Sequence, residues 1–144
     1  MDTFKFAVRH LRPLRFIPAL PHLFDSLLLA FTVLRHPEIS RSLDAIDHAL
    51  MTWPGVTKGL HRFGGTEYRL GNHELGHVHG NGLLDIPLSK SLREQLVADG
   101  RARPHQIYPH SGWISFNIHS EADVPNALAL LHLAYERRQS LLLV

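Results

Sequence analysis

The chain reads as an α+β protein: N-terminal helices, then one antiparallel sheet of about five strands with two helices packed on it. Three observations carry this. Residues 20–53 place apolar side chains at helical spacing. Residues 56–118 are dominated by short alternating runs separated by glycine turns. Two further helical segments open at Ser89 and Ser120, both good N-caps. At 144 residues the chain is one domain in size. A change of character at Pro54-Gly55 divides it into an N-terminal helical segment, 1–55, and an α+β portion, 56–144, read together as one compact unit.

Lys5, Arg9, Arg12 and Arg15 face only Asp2 at the start, and Pro13, Pro18 and Pro21 interrupt any continuous helix there. Leu20 to Leu34 is apolar nearly all round, with Asp25 inside it. It falls short of the roughly 20 residues that span a bilayer. The run fits a helix buried in the core or in a homodimer interface. It also fits one lying on a membrane, with the basic arm toward lipid headgroups. No small-residue cleavage site follows it, which gives a signal peptide poor support. The expected location is cytoplasmic, with peripheral membrane contact through this segment as the alternative.

Pro37 opens the next helix at a position where its missing N–H costs nothing. Ile39, Leu43, Ile46, Leu50 and Trp53 follow at 4-3-4-3 spacing. Gly64-Gly65 then separates Val56–Phe63 from Thr66–Leu70 as a hairpin. Gly71-Asn72 leads into a His-rich strand, and Gly80-Asn81-Gly82 into Leu83–Leu88. Ser89 caps a helix that runs to about Asp99 and stops at Gly100. Residues 101–112 read as irregular, and Trp113–Ile118 as the last strand by its alternation. Ser120 and Asp123 form a capping-box pattern before a helix that buries Val124, Ala127, Leu128, Leu131 and Tyr135. The apolar tail Leu141–Val144 is expected to pack on something.

Composition removes several functions. With no cysteine there are no disulfides, thiolate metal sites or Cys nucleophiles. A net charge of +2 without a dense Lys/Arg run is no nucleic-acid footprint. No phosphate-cradling glycine loop or dinucleotide fingerprint is present. The unusual quantity is twelve histidines, spread along the chain rather than bunched as a tag.

His73-Glu74-Leu75-Gly76-His77 spells H-E-x-x-H, but that zinc motif works only on a helix. Gly76, Gly80 and Gly82 within seven residues disfavour one, at about 1 kcal/mol each. On a strand, His73 and His77 stand roughly 13 Å apart and cannot share a metal. Strict alternation instead puts His73, Leu75, His77 and His79 on one face and Glu74, Gly76 and Val78 on the other. The useful pattern is thus His77-x-His79, with Asp85 brought close by the next hairpin. Paired imidazoles beside a carboxylate can bind metal, hold a general base in one tautomer, or simply hydrogen-bond each other on a sheet face. His105, Tyr108 and His110, in the irregular stretch before Trp113, are placed to lid that face. Trp113 is either core or a stacking platform. Arg69 or Tyr68, alternating on the neighbouring strand, is placed to anchor an anionic or phenolic ligand. His61 and the remaining histidines carry no pattern.

Several stretches together resemble the luciferase-domain family of bacteria and fungi: Glu67–Gly71, His77–Gly80, Leu84–Pro87, Pro104-His105, Ser111–Phe116 and Glu121–Tyr135. The similarity covers about residues 60–138, and the fungal luciferases of the hispidin pathway are distant members. The resemblance implies a luciferase-like α+β domain that adds O2 to a hydroxylated α-pyrone and needs no metal or organic cofactor. His77, His79 and His105 match the family's histidines, and Asp85 matches the bacterial form. A hydrophobic N-terminal anchor in the fungal proteins is only partly echoed by Leu20–Leu34.

These readings converge on a small oxygenase acting on an enolic or phenolic, hydroxypyrone-type molecule. His77, His79, Asp85 and His105 are its expected catalytic residues. Arg69, Tyr108, His110 and Trp113 are the expected substrate-binding residues, with O2 as co-substrate and no cofactor. The alternatives are a non-catalytic small-molecule-binding module and a metal protein using His77, His79 and His105.

Overall fold

The computed structural model describes residues 17 and 19–142. Helix α1 spans Leu20–Arg35 and α2 spans Pro37–Leu50, each with proline in its first turn. The periodicity read for α2 holds, because Ile39, Ile46 and Leu50 are buried and Leu43 and Trp53 pack beside them. Six strands follow in chain order: β1 Val56–Leu60, β2 Thr66–Leu70, β3 His73–Val78, β4 Leu83–Pro87, β5 Arg103–Pro104 and β6 Trp113–Asn117. They form one sheet ordered β1-β2-β3-β4-β6-β5, and every neighbouring pair is antiparallel. The count expected was about five. The sixth, β5, is a two-residue strand inside the stretch read as irregular, too short for any periodicity to mark it.

Helix α3, Lys90–Ala98, starts at Ser89, whose hydroxyl accepts from the Leu92 backbone N–H. Helix α4, Val124–Leu142, follows a 3-10 turn at Glu121–Asp123 held by the Ser120/Asp123 capping box. The core lies between the sheet and the helices. Leu75, Leu84, Ile86 and Ile114 from the sheet meet Ile46 and Leu50 of α2 and Ala127, Leu130 and Leu131 of α4. Each fully buried Leu or Ile there contributes about 1.5–3 kcal/mol. Tyr68 also lies on this helix side, its hydroxyl donating to Asp47 of α2 (3.0 Å). It is therefore a core residue and not a ligand anchor.

Three expectations need correction. Helix α1 is not buried: only Thr32 is, while Leu23, Leu27, Phe31 and Leu34 are 58, 61, 56 and 81% exposed. The tail does not pack either, for Leu141 and Leu142 are exposed; residues 143–144 and the basic arm at 1–16 lie outside the described residues. Finally, alternation along β3 is broken. Tyr68 pairs with Gly76 but Arg69 pairs with Glu74, so Leu75 is an extra residue in the ladder. A bulge of this kind resets which face each side chain takes. Leu75 enters the core, and Glu74 turns to the face of His77 instead of the opposite one.

Candidate active site

Register places six residues in one row across the sheet: Gly59, Glu67, His77, Asp85, Ser115 and Arg103. The adjacent row, Leu60, Thr66, Val78, Leu84 and Phe116, alternates to the other face. A polar row therefore runs over the face opposite the helical core. Glu67, His77, Asp85 and Ser115 within it are all buried. Buried polar groups must find partners, and the partners define the site.

Asp85 is the hub. Its Oδ1 accepts a short hydrogen bond from the Ser115 hydroxyl. Three imidazole Nε2 atoms surround its Oδ2: those of His77 and His105 at 3.6 Å and that of His79 at 4.0 Å. Burial pushes the Asp85 carboxyl upward. The hydrogen bond and charge of His105, the Ser115 hydroxyl and the charge of His77 outweigh it, so the group sits below the ordinary carboxylate range.

The outer nitrogens assign the tautomers. An ionised carboxylate only accepts, so His77 Nδ1–H donates to Glu74 Oε1 at 2.6 Å. His79 Nδ1–H likewise donates to Asp25 Oδ1 at 3.2 Å. Both rings then turn an acceptor Nε2 toward Asp85. His105 is the reverse. Its Nδ1 accepts from the backbone N–H groups of Ile107 and Tyr108, both at 3.1 Å, so its Nε2 carries the proton and points it at Asp85. His61 stacks on His77 with ring centroids 3.7 Å apart and planes 8° apart. Burial, and then the nearby His77, bring the His61 pKa down to about 4, so this ring is neutral at ordinary pH.

All four residues expected to be catalytic, His77, His79, Asp85 and His105, thus meet at one point. Of the expected substrate contacts, Trp113 is half-buried, with its ring centroid 5.8 Å from that of His77 and 5.6 Å from that of His105. Tyr108 is exposed and stacks on His105 at 5.4 Å. Arg69 shares the site face, but its guanidinium is paired with Glu67. His110 is exposed on the loop, whose backbone is tied to α3 by Arg93 through the Pro109 and Ser111 carbonyls. A hollow of about 240 Å³ lies beside β5 and β6, lined by Arg101, Arg103, Ser115, Asn117 and His119.

Glu74, His61, Asp25 and Ser115 escaped the sequence reading. Glu74 was hidden by the bulge. His61 reaches His77 only through the turn that closes the β1–β2 hairpin. Asp25 comes from α1, and its Oδ1 also accepts the Gly80 N–H at 3.0 Å. The one available signal for it lay in the turn glycines. A Cβ on Gly64 would sit 2.6 Å from the Pro21 carbonyl oxygen, and one on Gly80 would sit 2.6 Å from the Leu29 nitrogen. Both turns are bare so that α1 can lie against them.

Among the described residues, no helix is long and apolar enough to cross a membrane. Comparison with curated proteins and with solved structures gives no match. Residues 72–134, which carry His77, His79, Asp85, His105, Trp113 and Ser115, match the family model of the Luciferase domain. That segment, a little under half of the chain, is similar to the luciferase domain and supports a luciferase-like function.

Proposed function

We propose that the protein is a small oxygenase acting on a flat enolic or phenolic molecule of hydroxypyrone type, with O2 as co-substrate and no organic cofactor. One observation carries the reading. His77 gives its Nδ1 proton to Glu74, is stacked against His61, and presents Nε2 as an acceptor beside Asp85. A base held in one tautomer by a carboxylate is the arrangement that general-base catalysis requires.

In the proposed reaction, the substrate hydroxyl gives its proton to His77 Nε2, and Glu74 and Asp85 stabilise the imidazolium that results. The electron-rich anion forms a carbon–oxygen bond to O2, which is reduced to the peroxide level as the substrate loses two electrons. The imidazolium returns its proton to the distal peroxide oxygen, so the sum is substrate plus O2. His105 Nε2–H is the donor nearest the developing charge. Trp113 and Tyr108, flanking His105, offer aromatic faces to a flat ring.

Oxygen uptake by the purified chain with a series of hydroxylated α-pyrones tests this. The expected result is uptake that falls about 100- to 10,000-fold in His77→Ala, the range for loss of a general base. Uptake unchanged in that variant, or absent with every pyrone in the wild type, would sink the proposal.

A further inference from the structure

We infer that His77 Nε2, His79 Nε2 and Asp85 Oδ2 form a binding site for one divalent transition-metal ion, with Glu74 and Asp25 as its outer-shell carboxylates. Binding needs only these donor atoms and stands apart from the oxygenase proposal. Its consequence for turnover rests on that proposal.

His77, His79 and Asp85 each bring a donor atom within 4.8 Å of the others, and the two imidazole Nε2 atoms are 3.6 and 4.0 Å from Asp85 Oδ2. Donors each about 2.1 Å from a metal are about 3.0 Å apart at right angles and about 4.2 Å apart when opposed, so both distances fall within the span of one ion. The tautomers are already those of ligands. A metal-binding imidazole characteristically gives its other N–H to a carboxylate, which fixes the ring and raises its basicity. His77 does so to Glu74 and His79 to Asp25. Two histidines with this wiring, aimed at the same carboxylate oxygen, are more than a sheet face needs in order to satisfy its polar atoms.

Charge points the same way. Of the four carboxylates gathered there (Asp25, Glu67, Glu74 and Asp85), only Glu67 is paired with a guanidinium among the described residues, that of Arg69, and the other three meet imidazoles alone, an excess of carboxylate in a largely buried place. A cation offsets that excess. Two imidazole nitrogens and one carboxylate oxygen, in a chain without cysteine, suit Zn2+, Fe2+ or Co2+ and not the all-oxygen preferences of Ca2+ or Mg2+. His105 is not the third ligand. Its Nδ1 is taken by two backbone N–H groups, so its Nε2 holds a proton. It serves instead to orient Asp85.

Because the ion would take the His77 nitrogen proposed as the base, metal and substrate proton compete for one lone pair. In the oxygenase reading, Zn2+ is then an inhibitor of turnover.

The test is titration of the untagged, chelator-treated full chain with Co2+ alone, followed by its visible absorption, and with Zn2+ alone, followed by calorimetry. The expected result is one ion per chain. Affinity should fall by more than a hundredfold in His77→Ala, His79→Ala and Asp85→Asn, and about 10- to 100-fold in Glu74→Gln and Asp25→Asn. His48→Ala and His119→Ala, at exposed histidines, should leave it unchanged. The Glu74 and Asp25 variants keep all three ligands, so they report on wiring even if a ligand variant fails to fold. No stoichiometric binding, or binding that survives in folded His77→Ala, would overturn the site. Binding without any pyrone oxidation would leave the site standing and remove the oxygenase reading. Oxidation that rises when Fe2+ is added would leave the site standing and remove only the claim that the chain's own base suffices.

Discussion

His61 and Asp85 determine how the site responds to acid, and they act in different windows. The stacked His61 is protonated in the unfolded chain near its ordinary 6.5 but in the fold only near 4. Between those values the unfolded state binds more protons, so stability falls as pH drops from 6.5 toward 4 and the loss is complete below 4. Asp85 is held below its ordinary 3.8. Its contribution is intact above 3.8 and is lost as pH falls through its lowered folded value. Urea midpoints at pH 7 and pH 5 therefore sample the His61 window and leave out that of Asp85. Wild type should lose stability between the two, and His61→Phe, which keeps a ring against His77 without a group to charge, should lose less. Equal losses in both proteins would show that His61 is protonated in the fold as easily as in the unfolded chain. At the same scale, Asp25→Asn should lower turnover through His79 and move the pH–rate profile, while Asp25 itself touches no reacting atom. A variant with the wild-type profile would make Asp25 a purely structural contact.

Helix α1 and strand β3 show how whole elements decide the site. Helix α1 lies against the Gly64 and Gly80 turns and delivers Asp25 to His79 and to the Gly80 N–H. Gly80→Ala would push a methyl into the Leu29 backbone, and overpacking of this sort costs about 1–3 kcal/mol. The expected outcome is faster amide exchange across residues 20–35, measured by mass spectrometry, with the β4–β6 ladder still protected. Unchanged exchange in α1 would mean that its seat is elsewhere. In β3 a single extra residue, Leu75, moves Glu74 to the face of His77. The H-E-x-x-H string is thus neither a helical zinc motif nor a plain strand. Its Glu and second His are neighbours because a bulge lies between them.

At the scale of the whole molecule, the sheet has two unlike sides. One is a dry core against α2 and α4; the other carries the buried polar row under α1 and the loop before Trp113. The outer side of α1 completes nothing within the described residues. Leu23, Leu27, Phe31 and Leu34 form an exposed stripe at helical spacing. Polar substitution there should leave the fold intact. Leu27→Gln with Leu34→Gln is expected to change stability by no more than about 0.5 kcal/mol per site, read from thermal melts at a fixed protein concentration. A loss of several kcal/mol would place the stripe in a core instead.

The sequence alone determined much of this protein. Hydrophobic periodicity gave α2, capping residues gave the starts of α3 and α4, and glycine turns gave the hairpins. These signals are legible because each depends on residues a few positions apart. Period-2 spacing and one hairpin were also enough to bring His77, His79 and Asp85 together. What only the tertiary structure decided depends on distant segments meeting. Asp25 reaches His79 across 54 positions, and Ser115 reaches Asp85 across 30. His61 lies over His77 because the turn closing the β1–β2 hairpin carries it there. The bulge at Leu75 arises from how β2 and β3 pair, which no local pattern in β3 records. Short-range forces choose the elements, but the hydrogen bonds that set the tautomers of His77 and His79 come from side chains that only folding brings within 3.2 Å.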